Sequence, residues 1–232
     1  RKLEIVLNKE KIDYVINLGG YVDHKNKSKT YKSHYLGSKN LVESLINKRI
    51  KRFIQLGSSV EYGFLKSPQK ENLQLKQKSL KSTYGQAKFK TTKLLIKYYK
   101  AIKFPAVILR LYIAYGPNQN TNRFIPIIID SCLKKKEFDC SKGTQIRDFI
   151  YVDDIVDLYK KLSKNLYTNP KKFSGQIFNA GTNNQHKIKD IIEKIFIYGK
   201  KKNHYLGWHP KYKFTKTLPA LFNWYKKYFR KR

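Results

Sequence analysis

Ala106-Val-Ile-Leu-Arg-Leu-Tyr-Ile-Ala114, followed at once by Tyr115-Gly116-Pro117, is a nine-residue run with a single charged side chain. It is apolar at both odd and even positions. A strand half-exposed to water would alternate, so this one reads as a strand covered on both faces and closed by a Gly-Pro turn. Two similar runs precede it. Asp13-Tyr-Val-Ile-Asn-Leu-Gly-Gly20 ends in glycines, and Arg52-Phe-Ile-Gln-Leu-Gly57 ends in Ser58-Ser59. Between them lie helical stretches. One runs roughly from Tyr31 to Asn47, with apolar Leu36, Leu41, Val42, Leu45 and Ile46. The other runs from Tyr84 to about Ile102, with Ala87, Leu95, Tyr98, Tyr99 and Ile102 near one face. Strand, helix, strand, helix, strand with continuous apolar strands predicts parallel crossovers and an α/β fold. Such sheets place their sites beyond the carboxyl ends of the strands, where Gly19-Gly20, Ser58-Ser59 and Tyr112 to Pro117 would gather.

The second half is more mixed. Phe124 to Lys136 reads as a helix, Gln145 to Val152 as a segment holding a short strand, and Asp153 as the N-cap of a helix over about Asp154 to Leu162. Gln176 to Gly181 is a strand-to-turn element. Helices near Lys187 to Ile197 and Thr217 to Phe229 complete the chain, and no internal repeat is present.

Bulk composition narrows the function classes. A chain of 232 residues with 41% hydrophobic residues buries a sizeable core. Two cysteines, Cys132 and Cys140, are too few for a disulfide framework, which points to a reducing compartment such as the cytoplasm. No apolar run is long enough to span a bilayer and no signal-peptide core is visible at the start. The chain has no methionine and begins at Arg1, and is therefore expected to be an N-terminally incomplete piece of something longer. The net charge of +34 would suit phosphate-rich partners. The lysines, however, are spread along the whole chain in short runs such as Lys134-Lys135-Lys136. That distribution reads as solvated faces, so a nucleic-acid partner is not expected. A general attraction for anionic small substrates follows in either case.

The chemistry centres on Ser82-Thr-Tyr-Gly-Gln-Ala-Lys-Phe-Lys90. On a helix, Tyr84 and Lys88 share one face. The bare Tyr-x-x-x-Lys pattern carries no weight here, because it also starts at Tyr21, Tyr35, Tyr62, Tyr99, Tyr167, Tyr198 and Tyr212. Context separates Tyr84: it opens a helix 26 positions after Ser58, which ends a strand. A protonated Lys88 would favour the phenolate of Tyr84 and bring the phenol toward the range useful for proton transfer. Ser58 could hydrogen-bond the substrate oxygen that gains or loses that proton.

Seven pieces in order, YVINLGG, RFIQLGSSVEYG, STYGQAK, LRLYIAYGPNQNTNRFIP, GTQIRDFIYVDD, GQIFNAGT and LGWHP, resemble the NAD(P)-dependent epimerase/dehydratase family of extended short-chain dehydrogenase/reductases that act on nucleotide sugars. The resemblance implies a Rossmann-like doubly wound parallel sheet, here lacking its first strands, over residues 1–117. It implies a smaller mixed region for the nucleotide sugar, partly interleaved with the sheet, over residues 118–232. Ser58, Tyr84 and Lys88 would be the catalytic set, with Lys88 also holding the cofactor ribose. Leu18, Gly19, Gly20 and Tyr112 would line NAD or NADP. Arg147 would pair with the substrate pyrophosphate, or else form an ion pair with Asp148 or Asp153; Arg123 and Ser59 are further substrate contacts. No metal is expected at the site, and the complete protein is expected to be a homodimer through the helices near Tyr31 to Asn47 and Tyr84 to Ile102.

Departures from the family pattern narrow the reaction. Dehydratases of the family carry an Asp-Glu pair directly after the Ser/Thr; here Ser59 and Val60 stand there, and Glu61 comes one residue too late. Ile113 and His34 stand where Asn is common. The family's Gly-x-x-Gly-x-x-Gly loop is not in the chain, and roughly sixty residues of an average half-fold would precede Arg1. The expected chemistry is 4-keto reduction or 4-epimerisation of a sugar on a nucleoside diphosphate. The alternative is a non-catalytic protein of the same fold, for RNA, or an inactive fragment.

Overall fold

The computed structural model describes residues 2–9, 11–200 and 214–230. The LGWHP segment and part of the lysine run at Lys200 to Lys202 lie outside the described residues. The elements run as follows: α1 (Lys2–Lys9), β1 (Tyr14–Asn17), α2 (Lys27–Tyr31), a π-helical turn (Lys32–Gly37), α3 (Ser38–Leu45), β2 (Arg52–Ser58), α4 (Thr83–Ile102), β3 (Ala106–Leu111) and β4 (Ile113–Tyr115). There follow α5 (Phe124–Lys134), β5 (Ile146–Tyr151), α6 (Val152–Thr168), α7 (Pro170–Phe173), β6 (Ile177–Ala180), β7 (Gln185–Lys187), α8 (Ile188–Lys200) and α9 (Phe214–Arg230). Among the described residues no helix is long and apolar enough to cross a membrane.

The chain divides into two compact units. One comprises Arg1–Leu111 and Tyr159–Ala180, and the other Tyr112–Leu158 and Gly181–Arg232. The first is built on a parallel sheet in the order β1-β2-β3-β6. Because side chains alternate across a strand, successive residues feed opposite cores. Phe53 and Ile108 pack with Val42, Leu45 and Leu95 from α3 and α4 on one face. Ile54 and Val107 pack with Leu162 and Leu166 of α6 on the other. Layers on both faces explain why β2 and β3 read as continuous apolar runs. β1, at the edge of this sheet among the described residues, differs: Tyr14, Ile16 and Leu18 are all exposed. The second unit sets β4, β5 and β7 against α5, α8 and α9. Its core holds Tyr115, Ile128, Phe149, Ile191 and Leu218.

Two expectations need correction. The run from Ala106 to Ala114 is not one strand. It breaks at Tyr112, with β3 pairing to β2 and β6 while β4 pairs to β5 in a separate sheet. An unbroken apolar pattern cannot reveal a change of sheet, because both pieces are covered. Asp153 is not an N-cap either. The helix begins at Val152, directly after β5, and Asp153 and Asp154 occupy its first turn, where carboxylates favour the positive end of the helix dipole.

Candidate functional site

The site in the first unit grows from the carboxyl ends of β1 and β2 and the first turns of α4. Ser82 caps α4, its Oγ accepting from the Gly85 N–H at 3.0 Å. Tyr84 and Lys88 occupy the first two turns. The Lys88 amine is buried and donates to the Leu56 carbonyl of β2 at 2.7 Å. It lies 5.8 Å from the centroid of the Tyr84 ring. Burial lowers the pKa of Lys88 to about 8, while the carboxylate of Glu61 opposes the shift. The amine therefore stays largely protonated below pH 8, beside a phenol that is half-buried.

Ser58 closes β2 and is buried. Its Oγ accepts from the Val60 N–H at 3.4 Å, and its own N–H donates to Glu61 Oε1 at 2.9 Å. This reciprocal arrangement starts the short 3-10 turn Ser59–Tyr62. Glu61 itself is fully buried. Its Oε2 accepts from Arg110 Nε at 3.1 Å and from Thr92 Oγ1 at 2.8 Å, and the Arg110 guanidinium sits 4.7 Å over the Tyr62 ring. Glu61, Arg110 and Thr92 are residues that motif reading missed as a group. The signal was available: Ser-x-x-Glu over Ser58 to Glu61 has the spacing of a capping box, which turns the glutamate back toward the strand end.

Leu18, Gly19 and Gly20 follow β1, exposed at its carboxyl end. Asn17 Nδ2 donates to Gln55 Oε1 at 2.9 Å and to Ser38 Oγ at 3.1 Å, tying that end to β2 and α3. Gly20 is needed for space: a Cβ there would come within 2.0 Å of the His34 ring. His34 is buried, its Nε2 lies 3.0 Å from the Tyr21 carbonyl, and its pKa is lowered to about 4 by burial, with Lys88 adding to the effect. The imidazole is therefore neutral at physiological pH, and Nε2–H is the donor to Tyr21. His24, in the loop after β1, stacks on Tyr84 at 3.9 Å between centroids with 14° between planes.

In the second unit Tyr112 stands between β3 and β4, half-buried, and Ser59 belongs to the first unit beside Ser58. Arg123 is the residue before α5, in extended conformation at φ −92° and ψ 158°. Arg147, on β5 opposite His186, is exposed and donates to the Ile146 carbonyl at 2.7 Å. Among the described residues no carboxylate lies within ion-pair distance of it. Asp148 is otherwise engaged: it accepts from the N–H groups of Thr182 and Asn183 and from Thr182 Oγ1 at 2.6–3.0 Å.

The NAD dependent epimerase/dehydratase family model matches residues 1–181. The dTDP-D-glucose 4,6-dehydratase of Dictyostelium discoideum is 30% identical over 207 residues, 83% of this chain and 46% of that protein. The UDP-glucose 4-epimerase of Mycoplasma pneumoniae is 30% identical over 171 residues, 66% of this chain and 50% of that protein. The chain thus spans about half the length of these two relatives. Among solved structures, UDP-glucuronic acid 4-epimerase from Bacillus cereus in complex with NAD superposes with a TM-score of 0.83 at 24% identity, over 100% of this chain and 78% of that one.

Proposed function

Because the chain belongs to the NAD dependent epimerase/dehydratase family, we propose that it carries the acid–base site of a nucleotide-sugar 4-epimerase or 4-keto reductase, with Ser58, Tyr84 and Lys88 as the catalytic residues. The observation that carries this reading is the buried Lys88 amine, fixed on a strand carbonyl one helical turn from Tyr84. A structural lysine has no need to be desolvated there. A lysine that must bias a phenol toward phenolate does.

In this mechanism Tyr84, as phenolate, takes the proton of the sugar hydroxyl and returns it in the reverse direction. The Ser58 hydroxyl donates a hydrogen bond to the same sugar oxygen. Lys88 stabilises the phenolate. The nicotinamide cofactor, when bound, supplies the hydride acceptor and donor. The residues fit its nicotinamide–ribose end: Lys88 offers a buried ammonium, and Gly19, exposed just after β1, presents backbone without a side chain. On this reading residues 1–117 hold NAD or NADP, with Leu18, Gly19, Gly20 and Tyr112 against it. Residues 118–232 hold the sugar nucleotide, and Arg147, free of carboxylates among the described residues, takes pyrophosphate oxygens in bidentate fashion. Arg123 and Ser59 are secondary contacts, and the working form is a homodimer.

Dehydratases are prominent among the relatives, yet 4,6-dehydration needs a carboxyl group beside the serine that can reach the sugar. Glu61 is committed to Arg110 and Thr92 and is sealed from solvent. Epimerisation or reduction requires no such acid. Incubating the full protein with NAD or NADP and a panel of dTDP- and UDP-hexoses tests the reading. The wild-type chain should interconvert 4-epimers or reduce a 4-keto sugar, and Tyr84→Phe should lose at least about a hundredfold in kcat with its thermal stability unchanged. Full activity in Tyr84→Phe would overturn the assignment.

A further inference from the structure

Three aromatic rings converge at the start of α4, and the acid–base assignment uses only one of them. His24 lies face to face with Tyr84, 3.9 Å between centroids and 14° between planes. His34 meets Tyr84 edge-on at 4.8 Å and 74°. It also meets His24 edge-on at 5.6 Å and 71°. The Tyr84 ring is therefore held on one face by a stacked imidazole and at its side by a second, perpendicular one.

His34 is a rigid backing for this cluster. It is buried, its Nε2–H is fixed on the Tyr21 carbonyl, and the missing side chain at Gly20 opens the space its ring fills. The π-helical turn Lys32–Gly37 that carries it is pinned from outside, since the His34 carbonyl accepts from Ser38 Oγ at 3.0 Å and Thr91 Oγ1 at 2.8 Å. Single π turns inside helical runs commonly mark functional positions. His24 is less constrained by its own chain, because it belongs to the loop between β1 and α2. A half-buried loop imidazole laid flat on a phenol, with a rigid imidazole behind both, is an arrangement that fixes a ring plane.

We propose that His24 is a positioning residue for Tyr84: its stacked imidazole holds the phenol ring in the orientation in which the hydroxyl can exchange a proton with substrate. This inference rests on the reading of Tyr84 as the acid–base group. Offset and edge-on aromatic contacts favour defined ring geometries. A reacting group displaced by about 1 Å loses up to a hundredfold in rate, as near-attack geometry demands. The role belongs to the flat face of His24 and needs neither its charge nor its proton.

The test has two arms on the full protein. The first needs no turnover. The chain has five histidines, so ring 1H–13C spectra are sparse enough to assign by single substitution. One imidazole, identified as His24 by its loss in His24→Ala, should show ring-current-shifted protons that return to ordinary positions in Tyr84→Leu. Unshifted His24 protons in the wild type would overturn the proposal. The second arm reads kinetics with the nucleotide sugar that the panel above identifies. His24→Ala should lower kcat roughly ten- to a hundredfold with KM and melting temperature little changed. His24→Phe, which restores a flat ring and removes the ionisable group, should recover most of that loss. If His24→Phe is as impaired as His24→Ala, stacking is not the role and the inference falls. Activity retained in Tyr84→Phe would instead sink the acid–base reading itself, so the two failures are distinct.

Discussion

On the proposed reading, the buried amine of Lys88 would couple catalysis and stability with opposite signs. Its folded-state pKa of about 8 lies below the ordinary lysine value of 10.5. Below pH 8 both folded and unfolded chains carry the charge, and the cost of burying it is constant. As pH rises from 8 toward 10.5 the folded protein releases this proton first, so Lys88 contributes increasing stability across that window. Activity should run the other way. Above about pH 8 Tyr84 loses the neighbouring positive charge, so kcat should fall through that pH, and Lys88→Met should lower kcat and erase that limb of the profile. A profile flat from pH 7 to pH 9 in the wild type would remove Lys88 from the mechanism. Glu61 makes a different point. It pairs with Arg110 in a space closed to water, so removing it strands a buried guanidinium. Glu61→Ala should cost about 3–5 kcal/mol, seen as a fall in melting temperature of roughly 10 °C or more. A variant as stable as the wild type would mean that Arg110 finds another acceptor.

At the scale of elements, the turn from α7 into β6 depends on Gly175. Its φ is +76°, and a Cβ would meet the Tyr99 ring of α4 at 2.1 Å, while its N–H donates to the Ala106 carbonyl at 2.7 Å. Gly175→Ala combines a left-handed backbone with an overlap inside the packed layer. It should destabilise by about 2–4 kcal/mol in urea unfolding, whereas a loss below about 1 kcal/mol would show that Tyr99 swings away freely. Much of this level was legible in advance. β2, α4 and the strand at Ile177–Ala180 follow directly from apolar runs bounded by Gly, Ser and Pro. What stayed hidden has a common physical origin. The break at Tyr112, the β7 strand at Gln185–Lys187 and the π turn at Lys32–Gly37 all depend on long-range partners. β7, for instance, is the polar triplet Gln-His-Lys and becomes a strand only by pairing with β5. Local pattern cannot encode a partner more than thirty residues away. The site divides the same way: Tyr84 was singled out by its spacing from Ser58, but the stacking of His24 on it joins residues 60 positions apart.

For the whole molecule, charge dominates. With 50 Lys and Arg against 16 Asp and Glu, a formal net charge of +34, compaction works against the repulsion of like charges. Raising NaCl from about 0.02 M to about 0.5 M shortens the screening length from about 20 Å to under 5 Å. The melting temperature should therefore rise by several degrees, and a fall on adding salt would imply that specific ion pairs outweigh the repulsion. The same titration separates function classes, since RNA association would weaken steeply with salt and be indifferent to Tyr84.

The division into two units also bears on how the chain comes off the ribosome. Continuity passes from one unit to the other after Leu111, returns after Leu158 and passes across again after Ala180. The parallel sheet lacks β6 until residue 180 has emerged, and the other unit awaits α9, Phe214–Arg230. Neither half can mature as an early-synthesised module while the rest is still being made. For the same reason no single cut yields two expressible cassettes: a gene split anywhere inside residues 112–180 severs both units at once. Insertions that respect the fold belong in surface loops within one unit, such as the segment between Ser59–Tyr62 and α4.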